Sequence, residues 1–210
     1  MTAPLDASLR LIVILDTQVA AGRDLCALAG AAVAGGATML QVRGKPLGAR
    51  ELADLSRRVM ALAGGLPVAV NDRLDVALAV GAAGCHLGQS DLPIDVARRL
   101  APAGFFIGGS AATADEARRA ATEGADFLGI GPVVATPSKV DAGPGIGWGG
   151  FREALAAAPR VPAVAIGGID AALAVEARAA GAAGVAVISA VVCAADPAAA
   201  ARAIRAAFPR

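Results

Sequence analysis

Glu123-Gly124-Ala125-Asp126-Phe127-Leu128-Gly129-Ile130-Gly131-Pro132 contains the unit from which the chain is built. A glycine closes a helix, a short apolar run follows, and a polar or glycine-rich turn ends it, which is the pattern of a strand in a βα unit. The same order returns at Ala34-Gly35-Gly36-Ala37 before Thr38–Val42, at Val80-Gly81-Ala82-Ala83 before Gly84–Leu87, and at Ala180-Gly181-Ala182-Ala183 before Val185–Ile188. With the apolar runs Leu11–Leu15, Val68–Asn71, Phe105–Gly108 and Ala163–Ile166, the strands Asp126–Ile130 and its equivalents number eight. Helical spacing fills the intervals, as in Ala49–Leu62, Ala114–Ala121 and Ala171–Ala180, with Thr113 and Asp170 placed to cap the last two. Eight βα units predict an α/β fold, a single (β/α)8 TIM barrel over residues 1–210, with residues 1–8 as a flexible N-terminal extension.

Composition narrows the function. Apolar residues make up 56% of the 210 and charged residues 18%, so the chain is built to bury a core. Nineteen Lys and Arg against eighteen Asp and Glu leave a net charge of +1, which supplies no field for nucleic acid or an anionic membrane. No apolar run is long enough to span a bilayer, and Asp6 precedes the first one. Cys26, Cys85 and Cys193, odd in number and widely spaced, read as small buried hydrophobes of a cytoplasmic protein rather than as disulfides or zinc ligands. Small barrels often pair; a homodimer is compatible with the sequence, although no apolar stripe specifies one.

In a barrel the chemistry stands where the strands end, and there the sequence turns polar. Gln41-Val42-Arg43-Gly44-Lys45, Asn71-Asp72-Arg73, His86-Leu87-Gly88-Gln89-Ser90-Asp91, Gly109-Ser110, Thr136-Pro137-Ser138-Lys139, Gly167-Gly168 and Ile188-Ser189 follow successive strands. Asp72 and Asp91 suit one Mg²⁺, whose shell is usually completed by water and substrate phosphate. Taken singly, Asp72 also reads as a helix cap before Leu74 and Asp91 as a turn residue before Pro93. Arg43, Lys45 and Lys139 would clamp a departing phosphate, and Gly167-Gly168 with Ser189 occupy the usual barrel monophosphate position. Two phosphate sites imply two phosphorylated small-molecule substrates. His86 reads as structural, because no nucleophile stands near it in sequence, and Trp148 reads as a packing residue.

These motifs, in this order from Leu11 to Val191, resemble the thiamine phosphate synthase family. The resemblance implies a transferase that joins hydroxymethylpyrimidine diphosphate to a thiazole phosphate, carboxylated or not, giving thiamine phosphate and diphosphate. It implies that Gln41, Arg43, Lys45, Asn71, Ser110 and Lys139 contact the pyrimidine diphosphate, with Arg43, Lys45, Ser110 and Lys139 as the catalytic set. It implies Asp72 and Asp91 as Mg²⁺ ligands, and Thr136, Ser138, Gly168, Ile188 and Ser189 as contacts to the thiazole phosphate. Three departures stand out: Gly44 replaces the usual Glu, Ser138 the usual Thr, and Ala111-Ala112 the usual Thr-His. A thiazole tautomerase on the same barrel, or a phosphate-binding barrel without catalysis, are the alternative readings. Retention of Asp91 and Lys139, with no histidine after Ser110, favours the synthase.

Overall fold

The computed structural model describes residues 5–136 and 143–209. Eight parallel strands, β1 (Leu11–Asp16), β2 (Met39–Arg43), β3 (Val68–Asn71), β4 (Gly84–Leu87), β5 (Phe106–Ala111), β6 (Phe127–Ile130), β7 (Ala163–Ile166) and β8 (Gly184–Val187), close in sequence order into a barrel. Around it lie α1 (Leu5–Ser8), α2 (Leu25–Ala34), α3 (Ala49–Leu62), α4 (Leu74–Val80), α5 (Ile94–Leu100), α6 (Ala114–Glu123), α7 (Gly147–Ala157), α8 (Ala171–Ala179), α9 (Ser189–Val192) and α10 (Pro197–Arg205). Thr113 accepts from the Glu116 amide and Asp170 from that of Leu173, the two caps expected. Such a cap contributes about 1 kcal/mol.

The period of two along each strand divides the core. Leu11, Val13, Leu15, Leu40, Val42, Val68 and Val70 face outward into the layer shared with the helices. Ile12, Ile14, Met39, Ala69, Phe106, Phe127, Val164 and Ala186 face inward and fill the barrel. Glycine makes room among them: a Cβ at Gly108 would stand 2.4 Å from the Phe127 ring and 2.5 Å from that of His86. Each fully buried Leu, Ile or Phe is worth about 1.5 to 3 kcal/mol, so both layers weigh on stability.

The structure departs from the sequence reading at several edges. Residues Leu5–Ser8, expected within a flexible extension, form α1, and Leu5 packs with buried Leu9 against the inner core at the base of the barrel. β1 reaches Asp16, β2 reaches Arg43 and β5 reaches Ala111, because the ladder pairs Asp16 with Arg43, and Ala111 with Ile130, beyond the apolar runs. The helix α7 grows from a glycine-rich segment that local propensity disfavours; burial of Phe151 and Ala154 holds it. Trp148 packs edge-on to Phe151 and donates to Glu176, a packing role as expected. Of the cysteines only Cys85 is buried; Cys26 is half-buried and Cys193 exposed. Burial pushes the Cys85 thiol up to about 12, which removes it as a nucleophile at neutral pH. Among the described residues no helix is long and apolar enough to cross a membrane.

Candidate active site

The inner face of the barrel changes character along its length. At the N-terminal end it is apolar, whereas at the C-terminal end Gln41, Arg43, Asn71, His86 and Ser110 point inward from β2 to β5. They open into a cavity of about 440 Å³ whose floor is Ile12, Ile14, Phe127, Val164 and Ala186. Lys45, Asp72, Asp91, Thr136, Gly168, Ile188 and Ser189 complete its rim, so every candidate residue within the described chain lines one space. Ser138 and Lys139 lie outside the described residues.

Hydrogen bonds fix the polar wall. Gln41 donates through Nε2 to Asn71 Oδ1 at 2.6 Å, and Asn71 donates to Asp72 Oδ1. Asp72 has φ +64°, with its amide donating to the His86 carbonyl at 2.8 Å. That left-handed conformation costs about 1 kcal/mol or more in a residue other than glycine, and it turns the carboxylate to the mouth instead of capping α4, whose N-cap is Arg73. Asp91 is held from the next loop, its Oδ2 accepting from the Gly88 amide at 2.6 Å. His86 lies over Gly108 and Gly129 beside Phe127, with Nε2 3.0 Å from the Ser110 hydroxyl. Its place in packing is as expected, and the same ring also lines the cavity.

Asp72 and Asp91 meet closely enough to share a hydrogen bond, and Asp72 is pushed up to about 6 by burial, by that hydrogen bond and by the charge of Asp91, against the opposing influence of Lys45 and Arg43. Two crowded carboxylates beside two cationic side chains fit a hard divalent cation that has substrate oxygens in its remaining positions. Among the described residues no cluster of three or more His, Cys, Asp or Glu competes with this pair. The sign of the pH effect follows. A carboxyl raised from 3.8 to about 6 favours the folded, metal-free chain below about 3.8, and that contribution is lost as pH rises through about 6. A proton on Asp72 would therefore compete with any cation held there. The Mg²⁺ concentration for half-maximal activity is expected to be level above pH 7 and to rise by up to about tenfold per unit below pH 6. Titrating Mg²⁺ at a series of pH values checks this, and Asp72→Asn should abolish the step.

On the far side of the barrel the wall is backbone. Gly167 and Gly168 have φ +96° and +68°, and the loop after β6 packs on them, with Val133 and Val134 amides donating to the Ile166 and Gly167 carbonyls. Cβ atoms at the two glycines would meet Pro132 at 2.4 Å and Val134 at 2.9 Å, so only glycine fits this turn. Ser189 opens the short helix α9 beside them.

A family model for thiamine monophosphate synthase matches residues 11–191, nearly the whole barrel. The chain belongs to the thiamine monophosphate synthase family. A thiamine-phosphate synthase of Moorella thermoacetica is 51% identical over 197 residues, 93% of each chain. One of Methanoculleus marisnigri is 50% identical, again over 93% of both. Among solved structures, a thiamine phosphate pyrophosphorylase from Pyrococcus furiosus superposes with a TM-score of 0.89 at 38% identity over 98% of both chains. As a member of the thiamine monophosphate synthase family the chain is an enzyme, a transferase acting on small molecules.

One buried residue escaped the sequence reading altogether. Asp16, at the end of β1, forms an ion pair with Arg43; the two are 1% and 8% exposed. Its other oxygen accepts from the amides of Gln18 and Val19 at 2.8 and 3.1 Å. It stands just past the apolar run Leu11–Leu15, and only the β1–β2 register sets it beside Arg43.

Proposed function

We propose that the chain joins hydroxymethylpyrimidine diphosphate to a thiazole phosphate at the C-terminal mouth of the barrel, releasing diphosphate and forming thiamine phosphate. One observation carries this reading: across an apolar floor the cavity sets carboxylates and cationic side chains at one end against a glycine backbone wall at the other, two ends suited to two phosphate groups. Asp72 follows β3 and Gly167-Gly168 follow β7, four strands away in a barrel of eight and so on opposite sides of the mouth. The carboxylate and cation end takes the diphosphate with Mg²⁺; the backbone end, with Ser189, takes the monophosphate.

Asp72 and Asp91 would hold Mg²⁺, which would supply positive charge to the departing diphosphate. Arg43, Lys45 and Lys139 add to it, while Gln41, Asn71 and Ser110 orient the pyrimidine. The C–O bond breaks with its electron pair on the leaving oxygen, the amino-substituted ring carries the methylene cation, and the thiazole nitrogen lone pair closes the new C–N bond. No protein nucleophile takes part. The apolar floor, with Ile14 and Phe127, keeps water from the cation, and the fixed spacing of the two ends brings the rings together. Absence of a histidine at Ala111-Ala112 favours this over tautomerisation. In this reading the enzyme works in the cytoplasm with Mg²⁺ and free small-molecule substrates.

Incubation of the purified protein with both substrates and Mg²⁺, with product read by mass spectrometry and diphosphate release measured alongside, tests it. Thiamine phosphate equimolar with diphosphate is expected; diphosphate release that ignores the thiazole phosphate would refute condensation. For the monophosphate end, Gly168 is a poor probe because any side chain meets Val134. Ser189→Asp is cleaner, since an acidic residue suits a helix start while repelling a phosphate. Its KM for the thiazole phosphate is expected to rise about tenfold or more and that for the pyrimidine diphosphate by under about threefold. Equal rises would move the phosphate elsewhere.

A further inference from the structure

We propose that Asp16 is a positioning residue for Arg43 and through it sets the affinity of the diphosphate end of the cavity, an inference that rests on the reading of that end given above. Arg43 lines the cavity; Asp16 does not, and stands behind it. The guanidinium Nη1 donates to Asp16 Oδ2, while Oδ1 is held by the Gln18 and Val19 amides. The Thr17 amide donates to the Arg43 carbonyl at 3.0 Å, which ties the two strand ends together. Asp16 thus has its orientation set by backbone, and a planar guanidinium with several donors takes its direction from a carboxylate so held.

The residue that follows Arg43 is unable to play this part. A Cβ at Gly44 would stand 2.9 Å from Leu47 Cδ1 and 3.1 Å from Leu52 Cδ1, so that position faces half-buried Leu47 and buried Leu52 of the outer layer. The carboxylate that meets the Arg43 guanidinium comes instead from across the sheet, from Asp16. Two physical effects oppose each other on its removal. Losing a neutralising charge would strengthen anion binding, whereas losing the fixed direction of a long, rotatable side chain would weaken it. Burial of both partners favours the second, because a buried arginine without its partner leaves for whatever solvent or acceptor it can reach.

Asp16→Asn separates the roles of this side chain. Asparagine Oδ1 still accepts from the Gln18 and Val19 amides, but its NH₂ group faces the guanidinium as donor to donor. Calorimetric titration with inorganic diphosphate and Mg²⁺ reads binding without turnover. Affinity is expected to fall about tenfold in Asp16→Asn, and Asp16→Asn/Arg43→Met is expected to match Arg43→Met alone, since a residue acting through another adds nothing once that one is gone. A fall of less than threefold, tighter binding, or an undiminished loss on the Arg43→Met background overturns the proposal. Should Asp16→Asn fail to fold, the double variant is expected to restore folding by removing the unpaired charge and to bind as Arg43→Met does; no rescue, or a further loss beyond threefold, overturns it. A wild-type protein that binds Mg²⁺ with diphosphate yet makes no thiamine phosphate would sink the proposed reaction and leave this test intact.

Discussion

Lys139→Ala is expected to lower kcat by about a hundredfold or more, about 2.7 kcal/mol of barrier, with a much smaller change in either KM. Negative charge gathers on the diphosphate as the C–O bond breaks, so an ammonium beside it gains more in the transition state than in the ground state. Lys139 itself lies outside the described residues, but Thr136, three residues before it, lines the cavity, and three residues span at most about 11 Å. An exposed lysine with no part in the reaction would contribute under about 1 kcal/mol, and its loss would leave both constants within a few-fold. Steady-state kinetics with each substrate saturating in turn distinguishes the two, and a kcat near that of the wild type would remove Lys139 from the catalytic set.

Asp91→Asn is the second large effect: a fall in kcat/KM for the pyrimidine diphosphate of about a hundredfold, with half-saturating Mg²⁺ shifted upward by about tenfold or more. The amide oxygen can still accept from Gly88, as Oδ2 does now, so the loop keeps its shape while one of the two carboxylates proposed to hold Mg²⁺ is lost. Burial still holds Asp72 up in this variant, but loss of the Asp91 charge should move its titration part of the way back toward 3.8. Unchanged far-ultraviolet circular dichroism together with wild-type Mg²⁺ dependence would show that Asp91 is not a ligand.

The extent of each strand was the least legible feature of the fold, and for a definite reason. Apolar runs mark where a strand is buried on both faces, but β1, β2 and β5 continue into residues whose inward side chains are polar. Arg43 and Ser110 thus belong to strands, with fixed directions, where the sequence suggested strand ends. The site was legible because so apolar a chain has little reason to place Asn, Asp, Gln and Arg after successive strands unless they are used. Asp16 was missed because nothing within its own stretch of sequence signals a partner 27 residues away.

By itself, then, the sequence determined the barrel, the end at which the polar candidates gather, and the family, since these follow from local periodicity, glycine punctuation and motif spacing. Tertiary structure alone decided which charges meet. The inward or outward direction of each strand-end residue depends on register, and register is set by packing of the whole closed sheet; on that rest the crowding of Asp72 against Asp91, the seat of His86 over two glycines, and the pairing of Arg43 with Asp16 in place of any residue at position 44.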